Sequence, residues 1–280
     1  MEKISVNELP KYSPWVAQLL GLEPFDRPVR NLAKIDAEYD KDKWGKLLAY
    51  YKRKQGGTVQ EIRAQEMNLR LKADAICVSR EGQLFLTSAH NYLALEDNII
   101  VNALAEFISA ATVVVELGSG YGYNFSILND AYPGRVWIGG EYSQNGLKLA
   151  NLLFADCDNI SFLPFNWYDH SWPIFETIEG KALVFTRESV EQLPRAISVL
   201  PTFQKYREKI SAVVHLEPVY ELIDRESTLG LMRRAYTQLN DYNTDLLSSL
   251  KAMGVQILKT QYDVIGRNPL NPTSLIYWQF

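Results

Sequence analysis

The stretch that decides the fold is TVVVELGSGYGYN, residues 112–124. A short β-branched run ends in an acid, Glu116, and glycines follow at 118, 120 and 122. Such a run, closed by glycines, reads as a buried strand. Glycine permits a sharp strand-to-helix turn and lets a ligand approach the backbone closely. In open parallel sheets, ligands bind beyond the carboxyl ends of the strands. Gly118, Gly120 and Gly122 are therefore candidate binding residues, the alternative being a tight turn that holds nothing. A dinucleotide site needs Gly-x-Gly-x-x-Gly. Counted from Gly118 the sixth position is Tyr123, and from Gly120 it is Phe125, so a nicotinamide oxidoreductase is disfavoured.

Comparable runs recur downstream: RVWIGGE (135–141), ISFLPF (160–165), KALVFT (181–186) and SAVVHLE (211–217). Segments of helical composition separate the first of them, such as SQNGLKLANLLFAD (143–156), and the later connections are long enough for helices. Strands alternating with helix-length connections predict a parallel sheet covered on both faces. The alternation fails at the end. VQILKTQYDV (255–264) and TSLIYWQF (273–280) are separated only by IGRNPLNP (265–272), too short for a parallel crossover. The expectation is an antiparallel hairpin at the sheet edge.

Before residue 96 the texture is different, and residues 1–95 read as a mainly helical region that could cover the site, ahead of a core at 96–280. Trp44, Leu47, Leu48 and Tyr51 fall at helical spacing within 34–57, which ends in Gly56-Gly57. A second helix is expected over 58–76, with Thr58 and Glu61 in capping-box spacing. A hairpin is expected over 76–87, turning at Glu81-Gly82, and a helix over 95–111. The aromatic residues Tyr12, Trp15, Tyr39, Trp44, Tyr50 and Tyr51 fill a core or cover a substrate; both uses suit them.

The 280 residues are 47% hydrophobic and 22% charged, which excludes a disordered or low-complexity chain. A net charge of −4 argues against a nucleic-acid coat or a polybasic membrane anchor. No apolar run is long enough to span a bilayer, and the first twenty residues lack the apolar centre of a secretory signal. With two cysteines and no metal spacing, a cytoplasmic setting is expected. Histidines 90, 170 and 215 are widely separated and no metal is expected.

Once the dinucleotide pattern fails, what remains is Glu-x-Gly-x-Gly-x-Gly. This resembles motif I of the class I S-adenosylmethionine-dependent methyltransferases. The resemblance extends over roughly residues 96–280. Glu141, nineteen residues beyond Gly122, looks like the family's ribose-hydroxyl ligand. Asn166 and Trp167, in PFNWYD, match the position that meets the adenine. The terminal hairpin resembles the family's reversed edge strand. The resemblance implies an α/β, Rossmann-like seven-stranded sheet with an antiparallel C-terminal edge strand, and S-adenosylmethionine as cofactor. On the residues alone, the alternative for Glu141 is a solvated strand-end carboxylate, and for Asn166 and Trp167 ordinary loop polarity and core packing. Glu116 either touches the ligand or braces the loop from below.

The acceptor side of such a fold follows strands four and five. Strand four leads into TRESVEQLPR (186–195), where Glu188 and Glu191 share a face if the segment is helical. Strand five leads into HLEPVYE (215–221), where His215 and Glu217 share a face of an extended strand. An imidazole suits a general base near neutral pH. ESVEQLP, HLEPVYE and RNPLNPTSLIYW are similar to strings in sugar O-methyltransferases. That resemblance implies a hydroxyl of a sugar or glycoside as acceptor and His215 as base. The alternative is an N-methyltransferase in which Glu188 and Glu191 clamp the guanidinium or amine of arginine or a cationic peptide, with Glu217 adding charge. Glu188 and Glu191 are also ordinary first-turn acids, and His215 an ordinary core histidine. A binding protein that kept the fold without the chemistry is the non-enzymatic reading. A count of the carboxylates lining the folded pocket separates the two substrate classes.

Overall fold

The structure is a computed structural model that describes residues 1–25, 27, 29–70 and 75–280. The chain opens with β1 (Glu2–Ile4), then α1 (Trp15–Leu19) and α2 (Leu32–Ile35). From Asp36 to Trp44 the helix widens to π-helical winding before continuing as α3 (Gly45–Lys54). Gly45 N–H donates to the Asp40 carbonyl five residues back, and a Cβ there would lie 2.9 Å from that oxygen. Wide winding of this kind recurs at functional sites.

Helix α4 (Val59–Arg70) begins with the expected capping box: Glu61 N–H donates to Thr58 Oγ1 at 3.2 Å, and Thr58 N–H to Glu61 Oε2 at 2.9 Å. Of the helix expected over 58–76, residues 71–74 lie outside the described residues, and Ala75 and Ile76 belong to β2 (Ala75–Arg80). β2 pairs with β3 (Gln83–Ser88) across Glu81 and Gly82, both left-handed at φ 52° and 75°, the backbone of a tight hairpin turn. β1 joins the other edge of β3, a three-residue strand too short for any pattern to announce. Helix α5 (Ala89–Ile108) starts six residues earlier than expected because Ser88 caps it, accepting from Asn91 N–H at 3.2 Å.

The core follows: β4 (Val113–Leu117), α6 (Tyr123–Ala131), β5 (Val136–Glu141), α7 (Gln144–Leu153), β6 (Ile160–Pro164), β7 (Ala182–Arg187), β8 (Ile210–Pro218), α8 (Thr228–Leu239), α9 (Leu246–Ala252), β9 (Gln256–Ile265) and β10 (Thr273–Gln279). The strand order is β6-β5-β4-β7-β8-β10-β9. β4 to β8 pair in parallel, and β10 runs antiparallel to both β8 and β9. The terminal hairpin is therefore not simply appended, since β10 inserts inside β9. TSLIYWQ is apolar on both faces and buried, whereas much of QILKTQYDVI is polar and exposed, so β9 takes the edge.

Alternate strand residues feed two cores. Val114, Leu183, Phe185, Val214 and Tyr277 face one layer, and Val115, Val184, Val213, Ile276 and Trp278 the other. The connections after β6 and β7 contain only 3₁₀ turns (Pro173–Phe175, Val190–Gln192, Ala196–Ser198, Leu200–Lys209) where helices were expected. Prolines 173, 194 and 201 interrupt them, and Trp172, Phe175 and Phe203 cover that face instead. Among the described residues no helix is long and apolar enough to cross a membrane.

Candidate active site

A cavity of ≈ 300 Å³ opens over the carboxyl ends of β4, β5, β6 and β7. Its floor includes Glu116, Gly118, Ser119, Gly120 and Glu141, and its roof Leu32, Ile35, Tyr39, Lys43 and Trp44 from α2 and the π-helical turn. The bend after β4 is left-handed at Gly118 (φ 90°) and Gly120 (φ 57°). A Cβ on Gly118 would lie 2.4 Å from Ser189 Cβ, and one on Gly120 would lie 2.8 Å from the Trp44 ring. Backbone conformation and close packing both demand glycine here. Gly122 is also left-handed, at φ 83°, and packs on Phe162, so it shapes the bend rather than lining the cavity.

Glu141 ends β5 with its carboxylate folded back on the loop. Oε2 accepts from Gly120 N–H at 2.6 Å and Oε1 from Ser143 N–H at 2.7 Å. Burial raises its pKa against those donors. Ser143 caps α7, accepting from Gly146 N–H at 2.9 Å, and its hydroxyl donates to Asp40 Oδ1 at 2.6 Å. Asn145 N–H donates to the same Asp40 oxygen at 2.8 Å. The other flank of the roof is held by Arg30. Its Nε donates to Asn240 O at 3.1 Å, its Nη1 to Gln192 Oε1 at 2.9 Å, and its guanidinium lies 4.5 Å from the Tyr242 ring centre.

Five buried polar atoms of lining residues have no hydrogen-bond partner: Arg63 Nε, Glu116 Oε2, Ser119 Oγ, Trp167 Nε1 and Asn271 Oδ1. Glu116 Oε1 accepts from Asn124 at 2.6 Å, and burial pushes the carboxyl up to about 8. A buried polar atom left unpaired costs about 1–3 kcal/mol, so this wall suits a ligand rich in donors and acceptors. Asn166 lines the same wall, its amide oxygen accepting from Tyr168 N–H at 3.1 Å.

The remaining lining is charged. Arg187, at the end of β7, pairs with Glu96 at 2.6 Å and donates to Asn124 at 3.0 Å. Arg63 pairs with Glu66 at 3.0 Å and with Glu96, which also accepts from Tyr92 OH. Tyr121 OH donates to Glu66 at 2.9 Å. Against burial, Arg187, Arg63 and Arg267 bring the Glu96 carboxyl down to about 2. Glu188 follows Arg187 at φ 50°, an uncommon conformation for a side-chain-bearing residue, and its N–H donates to Leu216 O at 3.1 Å. Arg187 and Arg267 hold the Glu188 carboxyl below its usual range against burial. Glu191 is buried, accepts from Asn271 Nδ2 at 2.7 Å and Gln192 Nε2 at 2.8 Å, and is raised by burial and by Glu188 and Glu217. Among the described residues no group of three His, Cys, Asp or Glu could hold a metal ion.

Numbered within the core, the strands run 3-2-1-4-5-7-6, with the seventh reversed, a glycine bend after the first and a carboxylate ending the second. This is the class I S-adenosylmethionine-dependent methyltransferase fold. Among solved structures, the mitomycin 7-O-methyltransferase MmcR is 16% identical with a TM-score of 0.48, covering 95% of this chain and 75% of its own. The magnesium protoporphyrin IX methyltransferase ChlM from Synechocystis PCC 6803 is 11% identical with a TM-score of 0.47, covering 68% of this chain and 86% of its own. The pyocyanin biosynthetic protein PhzM is 12% identical with a TM-score of 0.47 over 65% of this chain, which spans 55% of it. No family model matches the sequence, and no curated protein matches it. The strand order carries the assignment, and likenesses this distant carry none of it.

On this methyltransferase sheet Glu116, Gly118, Gly120, Glu141, Asn166 and Trp167 meet at one cavity, with Glu188 and Glu191 on its wall. His215 and Glu217 share a face of β8, as expected, but neither lines the cavity. β8 runs on to Pro218, so His215 lies three residues inside the strand. Its Nδ1 is 2.8 Å from Thr186 Oγ1, its ring stacks on Trp278 at 6.2 Å, and burial depresses it to about 3. A neutral imidazole sealed in the core does not reach a substrate hydroxyl, so the general-base role expected of His215 is withdrawn. Glu217 is a positioning residue. It accepts from the N–H groups of Ser189 (3.0 Å), Val190 (3.1 Å) and Glu191 (3.2 Å), fixing the turn that presents Glu191. Burial lifts its carboxyl to about 7. The sequence reading missed Lys43, Arg63, Arg187 and Arg267. Arg187 and Arg267 stood in the quoted strings TRESVEQLPR and RNPLNP, but only the folded sheet shows that they meet.

Proposed function

We propose that this chain methylates a hydroxyl of a polar, sugar-like small molecule, with S-adenosylmethionine as donor. The observation that carries the reading is the wall of unpaired buried polar atoms, Glu116 Oε2, Ser119 Oγ and Trp167 Nε1, set around a glycine bend beside Glu141. Glu116, Ser119, the Gly118–Gly120 backbone, Glu141, Asn166 and Trp167 would hold the cofactor, and Gly122 keeps the bend in shape. The cofactor supplies an electrophilic methyl group on sulfur. The chain aligns the acceptor, excludes water beneath the roof and receives the hydroxyl's proton. Glu191 takes the last role in place of His215, because it lines the cavity, is fixed by Asn271 and Gln192, and has a carboxyl raised towards neutrality.

The charge on the wall argues against the guanidinium or amine alternative. Lys43, Arg63, Arg187 and Arg267 line the cavity beside five carboxyls, Glu66, Glu116, Glu141, Glu188 and Glu191. Glu141 is spent on the Gly120 and Ser143 N–H groups, and burial raises Glu116 and Glu191, so the wall offers a cationic acceptor no surplus of negative charge. The test is two-part. Isothermal titration with S-adenosylhomocysteine should show one tight site. Labelled methyl donor should then mark hydroxylated small molecules and leave arginine peptides unlabelled. Labelling of the peptides alone would reverse the choice of acceptor.

A further inference from the structure

The β9–β10 loop supplies Arg267, Asn268 and Asn271 to the cavity wall. The other cations of that wall are engaged. Arg63 is paired with Glu66 and Glu96, Arg187 with Glu96 and Asn124, and Lys43 lies over the Trp44 ring at 4.1 Å, with Glu66 3.8 Å away. Arg267 differs. Among the described residues no hydrogen-bond or ion-pair partner reaches its guanidinium, although Glu188, Glu66 and Glu96 are near enough to hold it charged. Beside it, Asn271 spends its amide N–H on Glu191 at 2.7 Å, which leaves its buried Oδ1 without a donor.

An arginine that lines a cavity with nearby charges but no hydrogen-bonded partner leaves its N–H donors unsatisfied unless a ligand brings acceptors. Its planar fork fits the paired oxygens of a carboxylate or a phosphate. The unpaired Asn271 oxygen calls for a donor such as a hydroxyl. We infer that the acceptor is an anionic hydroxylated molecule whose carboxylate or phosphate is held by Arg267 and one of whose hydroxyls donates to Asn271. This deepens the proposed function and rests on the cavity being the acceptor site of a methyltransferase. It also gives the β9–β10 loop a part in choosing the substrate. A neutral sugar would leave the half-buried Arg267 without a charged hydrogen-bond partner, and a cationic peptide would be repelled by it.

The test is isothermal titration of the full chain with inorganic phosphate and, separately, with acetate, each with and without saturating S-adenosylhomocysteine. At least one anion should bind saturably. Arg267→Gln should weaken that binding roughly 10- to 100-fold, the range of a charge-assisted pair, and Arg267→Lys should restore part of it. The affinity for S-adenosylhomocysteine should be the same in all three proteins, which also shows that the variants are folded. Binding of phosphate alone assigns a phosphorylated acceptor, and binding of acetate alone a carboxylate. The inference is overturned if neither anion binds while S-adenosylhomocysteine does, or if Arg267→Gln binds the anion as well as the parent. Failure of S-adenosylhomocysteine to bind would instead remove the methyltransferase reading. An Arg267-dependent anion site would survive that result on its own.

Discussion

Asp40 reaches across the molecule to Ser143, whose hydroxyl donates to it at 2.6 Å. The contact joins the π-helical roof to the cap of the helix that follows Glu141. The same Asp40 carboxylate accepts from Asn145 N–H at 2.8 Å and Asn145 Nδ2 at 3.0 Å. One side chain therefore clamps the cover of the cavity to the element that carries the strand-end glutamate.

Removing that clamp should loosen the roof without touching the floor. Asp40→Ala is expected to raise the dissociation rate of S-adenosylhomocysteine roughly 10-fold, in line with two or three lost hydrogen bonds at about 1 kcal/mol each, partly replaced by water. The association rate should change little. Stopped-flow tryptophan fluorescence can follow both, since Trp44 and Trp167 line the cavity. Unchanged dissociation would mean that the roof does not retain the ligand.

Gly120 sits between that roof and the ligand wall, left-handed at φ 57° with the Trp44 ring where a side chain would be. Gly120→Ala should destabilise the fold by about 1–3 kcal/mol, from the backbone conformation and the displaced Trp44. Gly120→Arg should abolish cofactor binding. Urea denaturation and calorimetric titration read the two effects separately. Parental affinity in Gly120→Arg would count against the glycine bend as the cofactor site.

The parts of the molecule that were legible in the sequence are those fixed by local pattern. The β-branched runs, the glycine bend, the Thr58–Glu61 box and the Glu81-Gly82 turn each carry their cause within a few residues, and each appears in the structure. The reversal within the terminal hairpin was legible from a loop too short to cross over. What was hidden depends on distance and depth. His215 looked like a base because strand length cannot be read to the residue, and three more residues of β8 sink it into the core. Arg63, Glu96 and Arg187 form one ion-pair cluster, yet Arg63 and Arg187 are 124 positions apart in sequence. No spacing rule connects residues that two helices and the carboxyl end of a central strand bring together.

The exchange of roles between His215 and Glu191 is directly measurable. His215→Ala should lower stability by about 1–3 kcal/mol, because it empties buried volume beside Trp278 and unpairs Thr186. Turnover of the folded fraction should stay within a few-fold of the parent. Glu191→Gln should keep the packing and lose roughly 10²-fold in turnover. Because burial and the neighbouring acids raise the Glu191 carboxyl, the parent's rate should climb with pH above the ordinary carboxylate range as that proton leaves. A His215→Ala enzyme as slow as Glu191→Gln would restore the histidine to the mechanism.

Stability should also depend on pH in a direction set by the buried acids. Glu96, at about 2 in the folded chain, favours folding above the ordinary carboxylate pKa of about 4.5, and that contribution disappears as pH falls towards 2. Glu116, at about 8, has the opposite sign, as does Glu217 at about 7. Both keep their protons in the fold and release them on unfolding, so their contribution is complete below about 4.5 and is lost as pH rises through 7 to 8. Together these groups place the most stable pH on the acid side of neutrality, with a fall on the order of a few kcal/mol towards pH 8. Thermal melts of the ligand-free chain across pH 4 to 9 should show that fall, and Glu116→Gln should flatten it, since an amide carries no proton to lose. A melting temperature that instead rises steadily from pH 5 to pH 8, in the parent and the variant alike, would mean that Glu116 is ionised in the fold.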